Sequence, residues 1–119
     1  MVDTENVVVN VLGEDWTIIY KDEDPAFEQC GGYCDDCTRT IVIENIKIDN
    51  DPLSTSPKGQ LENQKRIIRH ELIHAFLSES GLSDSSFETE AWANNEEMVD
   101  WFARQSPKIF KIYKELKII

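Results

Sequence analysis

The five residues His70-Glu71-Leu72-Ile73-His74 constrain this chain more than any other feature. They spell H-E-x-x-H and include both histidines of the protein. On a helix, side chains four residues apart lie one above the other on the same face. Two imidazoles placed in this way can bind one Zn²⁺, and Glu71 lies where it can take a proton from a water on the metal. The motif therefore predicts a helix through this segment, a zinc site, and Glu71 as the catalytic base.

The segment 95–100, which reads N-E-E-M-V-D, offers the third protein ligand that a catalytic zinc site needs. Glu96 and Asp100 share one face of a helix, so Glu96 can bind the metal while Asp100 accepts the other ring N–H of a ligand histidine. Glu97 is the alternative ligand, but it lies about 100° around the helix from Glu96. The spacing to Asp100 favours Glu96 over Glu97.

Length and charge limit the classes of protein that this chain can form. With 119 residues, it predicts a single domain over residues 1–119. The net charge is −11, which argues against nucleic acid as a partner, because an acidic surface repels phosphate backbones. No apolar run approaches the roughly 20 residues that span a bilayer, and residues 1–16 lack the basic start of a signal peptide. We therefore expect a cytoplasmic protein with no membrane partner.

The apolar pattern predicts an α+β fold, with a small antiparallel sheet of three to four strands followed by three helices. A hairpin is expected within residues 6–20, and one or two further strands within 39–48. The acidic segment 21–37, which contains Pro25, Gly31 and Gly32, is expected to be a loop.

Capping signals set the limits of the three predicted helices. The first is expected from about 57 to 80, because Ser56-Pro57 can begin a helix and Gly81 can end one. The second begins after the capping box formed by Ser85 and Glu88 and runs to about residue 105. Ser106-Pro107 is expected to start a third helix, from 108 to about 117.

These motifs resemble the gluzincin branch of zinc metallopeptidases, and the compact ImmA/IrrE-type peptidases in particular. The resemblance covers roughly residues 16–110 and depends on the H-E-x-x-H and N-E-x-x-x-D motifs. The segments Gly32-Tyr33-Cys34-Asp35 and 96–103 also resemble phage or prophage proteins of Gram-positive bacteria. The resemblance implies a minimal zincin-like domain with the H-E-x-x-H helix packed on the sheet. It also implies that His70, His74 and Glu96 are metal ligands, Glu71 is the base, and Asp100 orients a ligand.

The chain departs from the larger gluzincins, which have an additional His, Tyr or Arg that stabilises the oxyanion. No histidine remains for this purpose, so Tyr33, Tyr20 or an arginine would have to serve. Tyr33 is the candidate hydrogen-bond donor to the oxyanion.

Three cysteines, at positions 30, 34 and 37, form the C-x-x-x-C-x-x-C spacing. This spacing also holds iron–sulfur clusters in radical enzymes, but 119 residues cannot form the barrel that such enzymes need. Cys30, Cys34 and Cys37 could hold a second metal ion if a fourth ligand were present, or one cysteine could occupy the open position of the catalytic zinc. Reduced cysteines in a turn are the favoured interpretation.

The leading hypothesis is a zinc-dependent peptide hydrolase that acts on a flexible segment of another protein, in the cytoplasm of a bacterial host if the gene is carried by a phage. The substrate would lie along an edge strand within residues 39–48. The alternative is a catalytically inactive, zinc-bearing module that binds a partner. Its basic, apolar tail, residues 108–119, could dock on that partner, although a helix that covers the protein's own core is the favoured interpretation of this tail.

Overall fold

The computed structural model describes residues 5–83 and 91–119 of the chain. Strands β1 (Val7–Val11) and β2 (Glu14–Lys21) form the expected antiparallel hairpin. The hairpin turn places Leu12 at φ +53° and Gly13 at φ +94°. Two consecutive residues with positive φ match the twist of the flanking strands, and glycine tolerates this conformation best. The Asn10 side chain accepts a hydrogen bond from the Gly13 amide at 2.9 Å and closes the turn.

The sheet has four strands in the order β1-β2-β4-β3, where β3 is Gly32–Asp35 and β4 is Thr40–Glu44. β4 runs parallel to β2 and antiparallel to β3. The prediction of an antiparallel sheet is therefore wrong, because the sheet is mixed. The prediction of a loop over 21–37 is also wrong in part, since this segment contains a 3₁₀ turn at Pro25–Glu28 as well as β3.

Helix α1 (Pro57–Glu79) has the predicted limits. The Ser56 hydroxyl accepts a hydrogen bond from the Gly59 amide at 3.1 Å, and Gly81 follows the helix with φ +82°. The helix lies on one face of the sheet. The buried core between them consists of Val11, Trp16, Ile18, Ile41, Ile43 and Ala75. The Trp16 indole donates to Glu79 at 2.8 Å, which fixes the end of the helix against β2.

A single helix, α2 (Glu96–Glu115), follows a 3₁₀ turn at Trp92–Asn94. The prediction of three helices is wrong, because within the described ranges the structure has two α-helices and the second passes through Pro107 without a break. The predicted capping box at Ser85 and Glu88 lies outside the described residues. Helix α2 begins instead at Asn95, whose side chain accepts a hydrogen bond from the Met98 amide at 2.8 Å.

The continuity of α2 has a tertiary cause. Proline has no backbone N–H, so Pro107 leaves the carbonyl of Ala103, four residues earlier, without its helical donor. Arg69 on α1 supplies the missing donor, with its Nε 2.6 Å from the Ala103 carbonyl oxygen. The helix–helix contact therefore stabilises the turn that the sequence signal at Pro107 would interrupt.

Replacing Arg69 by Met is expected to lower the free energy of unfolding by about 1–3 kcal/mol, because the carbonyl of the buried residue Ala103 loses its donor. The loss should be at least halved in a Pro107→Ala background, where residue 107 regains an N–H for the same carbonyl. Urea unfolding followed by circular dichroism measures both values. Lys65→Met, an exposed change on the same helix, is the control and should alter the value by less than about 0.5 kcal/mol. An equal loss from Arg69→Met in both backgrounds would contradict this explanation.

The C-terminal part of α2 does not cover the protein's own core. Ile112, Leu116 and Ile119 are 53%, 64% and 69% exposed. The interpretation of residues 108–119 as a closing helix over the core is therefore wrong for these side chains. Within residues 5–83 and 91–119, neither helix is long and apolar enough to span a bilayer.

Candidate metal centre

Helix α1 places His70 and His74 on one face, as their four-residue spacing predicts. Their Nε2 atoms are 3.2 Å apart, and the two rings meet edge to face with centroids 4.9 Å apart. Both imidazoles are largely buried, with 16% and 20% of each side chain exposed. Burial lowers the pKa of His74 below its usual value, and this effect outweighs the opposing charge of Glu96. This keeps the His74 ring in the neutral form that binds metal ions.

Helix α2 brings Glu96 to the two histidines from its first turn. One carboxylate oxygen lies 2.9 Å from Nε2 of His70, and the other lies 3.0 Å from Nε2 of His74. The donor atoms of these three residues all lie within 4.8 Å of one another. Glu97 is not in this group and faces solvent. Of the two acids between which the sequence left a choice, the structure brings Glu96 to the histidines.

Asp100 lies one turn after Glu96, with its Oδ1 3.3 Å from Nδ1 of His70. A hydrogen bond from Arg104 and the charge of Arg66 lower the pKa of Asp100 below its usual value, so it is an ionised acceptor at neutral pH. In the neutral ring, Nδ1 of His70 carries the proton of that contact, and Nε2 then has a lone pair directed at His74 and Glu96.

This arrangement of donor atoms fits a cation. The atoms that face one another are Nε2 of His70, Nε2 of His74 and the two carboxylate oxygens of Glu96, at separations of 2.9–3.2 Å. At these distances only a shared proton or a metal ion can offset the repulsion between their lone pairs. A tetrahedral zinc ion with bonds of about 2.0–2.1 Å has ligand atoms about 3.3 Å apart, close to these separations. Two imidazole nitrogens and a carboxylate oxygen also form a donor set that zinc accepts.

Glu71 lies beside these ligands and is buried, with 7% of the residue exposed. One of its carboxylate oxygens is 4.0 Å from Nε2 of His70. Burial, together with the nearby charge of Glu96, raises the pKa of Glu71 to about 7, although the charge of His70 opposes the change. A carboxyl group with a pKa near neutrality can both accept and return a proton at cellular pH.

A cavity of about 610 Å³ opens between β3 and α1 and contains His70, Glu71, His74 and Glu96 on its wall. Strand β3 approaches α1 closely because it begins with Gly32 and follows Gly31. A Cβ on Gly31 would lie 2.7 Å from Cδ1 of Ile67 on α1, and one on Gly32 would lie 3.3 Å from Cγ2 of the same residue. The two glycines therefore allow a sheet edge to lie directly against the metal-site helix.

This sheet edge is β3, whereas the sequence placed the substrate-binding edge within residues 39–48. Strand β4 occupies that range and is paired on both sides, by β2 and β3. The prediction of that edge is wrong, because the short β3 covers β4. The Glu44 amide donates a hydrogen bond to the Gly31 carbonyl at 2.9 Å. Because hydrogen-bonded and non-hydrogen-bonded residue pairs alternate along an antiparallel ladder, the N–H and C=O groups of Gly32 and Cys34 point away from β4.

Tyr33 lines the same cavity, but its hydroxyl donates a hydrogen bond to Asp24 at 2.8 Å. This hydrogen bond raises the pKa of Tyr33, and the Ala26 amide together with the Tyr33 hydroxyl lowers that of Asp24. The tyrosine proton is thus committed to a carboxylate, and Tyr33 would have to exchange this partner before it could donate to an oxyanion.

The three cysteines do not converge. Cys30 and Cys37 are exposed, Cys34 is half-buried, and the three sulfur atoms do not form a group of ligand atoms within 4.8 Å. Cys34 lines the metal-site cavity. Burial, followed by the negative charge of Glu71, raises its pKa to about 12, so the thiol stays protonated in the metal-free protein.

Two arginines hold Asp100 in place, and the sequence interpretation missed both. Arg66 forms an ion pair with Oδ1, while Arg104 donates to Oδ2 at 2.8 Å. Helical spacing could have identified Arg104, since it lies four residues after Asp100 on the same helix.

Comparisons with protein-family models, with curated proteins and with solved structures found no match to this chain. A function for this chain must therefore be argued from the site itself. The ligand atoms, the buried carboxyl group and the sheet edge around one cavity are the features that bear on it.

Proposed function

We propose that this protein is a zinc-dependent peptide hydrolase that cleaves a flexible segment of another protein. The single observation that carries the proposal is the convergence of His70, His74 and Glu96 beside the buried carboxyl group of Glu71. Catalytic zinc sites use three protein ligands and leave a position for water, whereas structural sites use four. The resemblance of the two motifs to those of gluzincins supports the same function.

Zinc bound by these ligands would polarise the scissile carbonyl and lower the pKa of a coordinated water toward neutrality. Glu71 takes a proton from the attacking water and delivers it to the nitrogen of the leaving amine. The same carboxyl group holds the proton between the two transfers.

Asp100 positions His70 for this reaction. Its carboxylate accepts from the His70 ring and is fixed in turn by Arg66 and Arg104. Contacts of this kind fix the ring orientation and tautomer of a metal-binding histidine. The guanidinium groups also keep Asp100 ionised, so that it remains an acceptor and does not take the ring proton.

The free edge of β3 suits an extended peptide. A substrate strand placed along it would find the outward N–H and C=O groups of Gly32 and Cys34, and its backbone would cross the cavity in front of Glu71. A segment can pair with this edge only if its own backbone groups are not already paired, so the substrate must present an unfolded segment. We therefore expect loops, linkers or termini of other proteins as substrates, with no nucleic acid or membrane involved.

A metal-bearing binding module that cleaves nothing is the second candidate. The observation that favours it is the exposed apolar tail, with Ile112, Leu116 and Ile119 more than half exposed. A buried Glu71 argues for the hydrolase, because a site that only binds metal has no need to bury an ionisable group.

Metal analysis and a cleavage assay test the hydrolase together. The purified protein is expected to contain about one equivalent of zinc and to cleave an unstructured protein such as β-casein, as followed by mass spectrometry. A chelator should abolish cleavage and added zinc should restore it, while His74→Ala should lack both metal and activity. Zinc bound stoichiometrically without cleavage of any flexible substrate would favour the binding module, and failure to bind zinc would overturn both candidates.

A further inference from the structure

A second groove, of about 440 Å³, lies between α1 and α2 near the start of α1. It is distinct from the metal-site cavity, although Arg66 borders both. The groove is unusual for its charge. Three of the chain's four arginines line it, Arg66, Arg69 and Arg104, and Lys108 joins them. The proposed hydrolase uses Arg66 and Arg104 only to hold Asp100, and it gives no role to Arg69 or Lys108.

The positive charge of the groove contrasts with the rest of the molecule. The chain carries 23 acidic residues and a net charge of −11, yet Glu62 is the one acid among the described residues that line the groove. Lys65 already pairs with Glu62 at 3.2 Å. Arg104 and Lys108 are four residues apart on α2, where two like charges destabilise a helix. Asp100 pairs with both Arg66 and Arg104, whereas Arg69 and Lys108 pair with no acid among the described residues, so the four cations of the groove share one carboxylate.

The hydrogen-bonding capacity of these cations is only partly used. Arg69 uses Nε for the Ala103 carbonyl, and Arg104 uses Nε for Asp100. Among the described residues, no hydrogen bond or ion pair engages the terminal nitrogens of these two guanidinium groups or the ammonium of Lys108. Two guanidinium forks and an ammonium group thus border one groove with most of their N–H donors available.

We propose that this groove binds a small oxyanion of the phosphate type, either inorganic phosphate or the phosphate group of a small ester. Guanidinium groups match tetrahedral oxyanions because each can donate two parallel hydrogen bonds. The volume of the groove falls in the range of small-molecule sites. A long polyanion such as nucleic acid is disfavoured, because the charge of −11 on the whole molecule would repel the remainder of its backbone.

Isothermal titration of the full-length protein with inorganic phosphate at low ionic strength tests the proposal. Wild-type protein is expected to bind one equivalent with a dissociation constant below about 1 mM. Lys108→Gln should weaken binding by about threefold or more, and Arg104→Gln combined with Lys108→Gln by about tenfold or more. Lys114→Gln is the matched control, an exposed lysine on α2 outside the groove, and should leave binding unchanged. Equal binding by all variants, or no binding at 10 mM phosphate (roughly tenfold above that limit), would overturn the site.

Two further arms identify the ligand and separate this site from the metal centre. If adenosine monophosphate binds with an affinity similar to that of phosphate, the site accepts a phosphate ester. If phosphate alone binds, the site is restricted to the free ion. His74→Ala should retain phosphate binding, since the groove does not include the metal ligands, and its loss there would place the anion on the metal instead. A short DNA duplex that binds more tightly than phosphate, through Arg104 and Lys108, would overturn the assignment to a small anion.

Discussion

Glu71→Gln is expected to lower the rate of peptide hydrolysis by about 10²–10⁴-fold while the protein keeps its zinc. The amide has nearly the same shape as the carboxyl group but cannot accept the proton of the attacking water. The metal ligands are unchanged, so zinc content should match that of the wild type. The measurement is the initial rate of cleavage at matched zinc occupancy, across pH 5.5–8.5, a range of about one and a half units on either side of the pKa of Glu71.

The control for this prediction is Glu97→Gln, which removes the same charge from an exposed position on α2. Its rate of cleavage should match that of the wild type. If Glu71→Gln cleaved at an undiminished rate with zinc in place, Glu71 would not be the base. Loss of zinc in that variant would instead show that the carboxylate is needed to hold the metal site together.

The same substitution also has a consequence for stability without metal. The pKa of Glu71 is raised from 4.5 to about 7, so the folded state holds its proton over a pH range in which the unfolded state has lost it. Folded protein thus binds more protons between those values, and the free energy of unfolding must fall as pH rises through this window. Gln cannot ionise, so the variant should gain stability relative to wild type from pH 4.5 toward pH 7. Urea unfolding in the presence of a chelator measures that difference.

The elements that the sequence predicted correctly are set by local chemistry. The first hairpin follows from β-branched residues on both sides of a turn with Gly13, and α1 follows from Ser56 at one end and Gly81 at the other. In each case the residues that form the element also contain its boundary signals, so no distant contact is needed to locate it.

The errors in the predicted fold arise where contacts between residues far apart in the sequence determine the local structure. The segment Gly32–Asp35 has no alternating apolar pattern and begins with glycine, so only its pairing with β4 and its contact with α1 reveal it as a strand. Its insertion at the edge also makes β4 internal and parallel to β2. Likewise, Pro107 is a local signal for a helix boundary, and only the side chain of Arg69, 34 residues before Ala103, overrides it.

The candidate site was more predictable than the fold around it, because its ligands lie on two helices with fixed spacings. The periodicity of α1 orders His70, Glu71 and His74 without any knowledge of the sheet. The sequence could not show that Arg66 holds Asp100, since Arg66 comes from the other helix and the contact depends on how the two helices pack. Nor could it show that the hydroxyl of Tyr33 is already bonded to Asp24.

Glu96→Gln is expected to weaken zinc binding by about 10²-fold or more, whereas Glu97→Gln should leave the affinity within about twofold of wild type. The two variants remove the same charge from adjacent positions in the first turn of α2. Their effects on the helix dipole and on the net charge are therefore matched, and each amounts to no more than about 1 kcal/mol. What differs is the contact, because both oxygens of Glu96 lie within 3.0 Å of a histidine nitrogen and Glu97 faces solvent.

Competition with a chromophoric chelator at pH 7.5 measures both affinities in the same assay. A clear loss of zinc in the Glu96 variant alone would identify its carboxylate as the third ligand, since no general electrostatic effect distinguishes the neighbouring position. Equal losses in the two variants would mean that the negative charge of the first turn, and no bond from Glu96, attracts the metal. The reverse order would assign the ligand to Glu97 and require α2 to turn by about 100° about its axis when zinc binds, which would also remove Asp100 from His70.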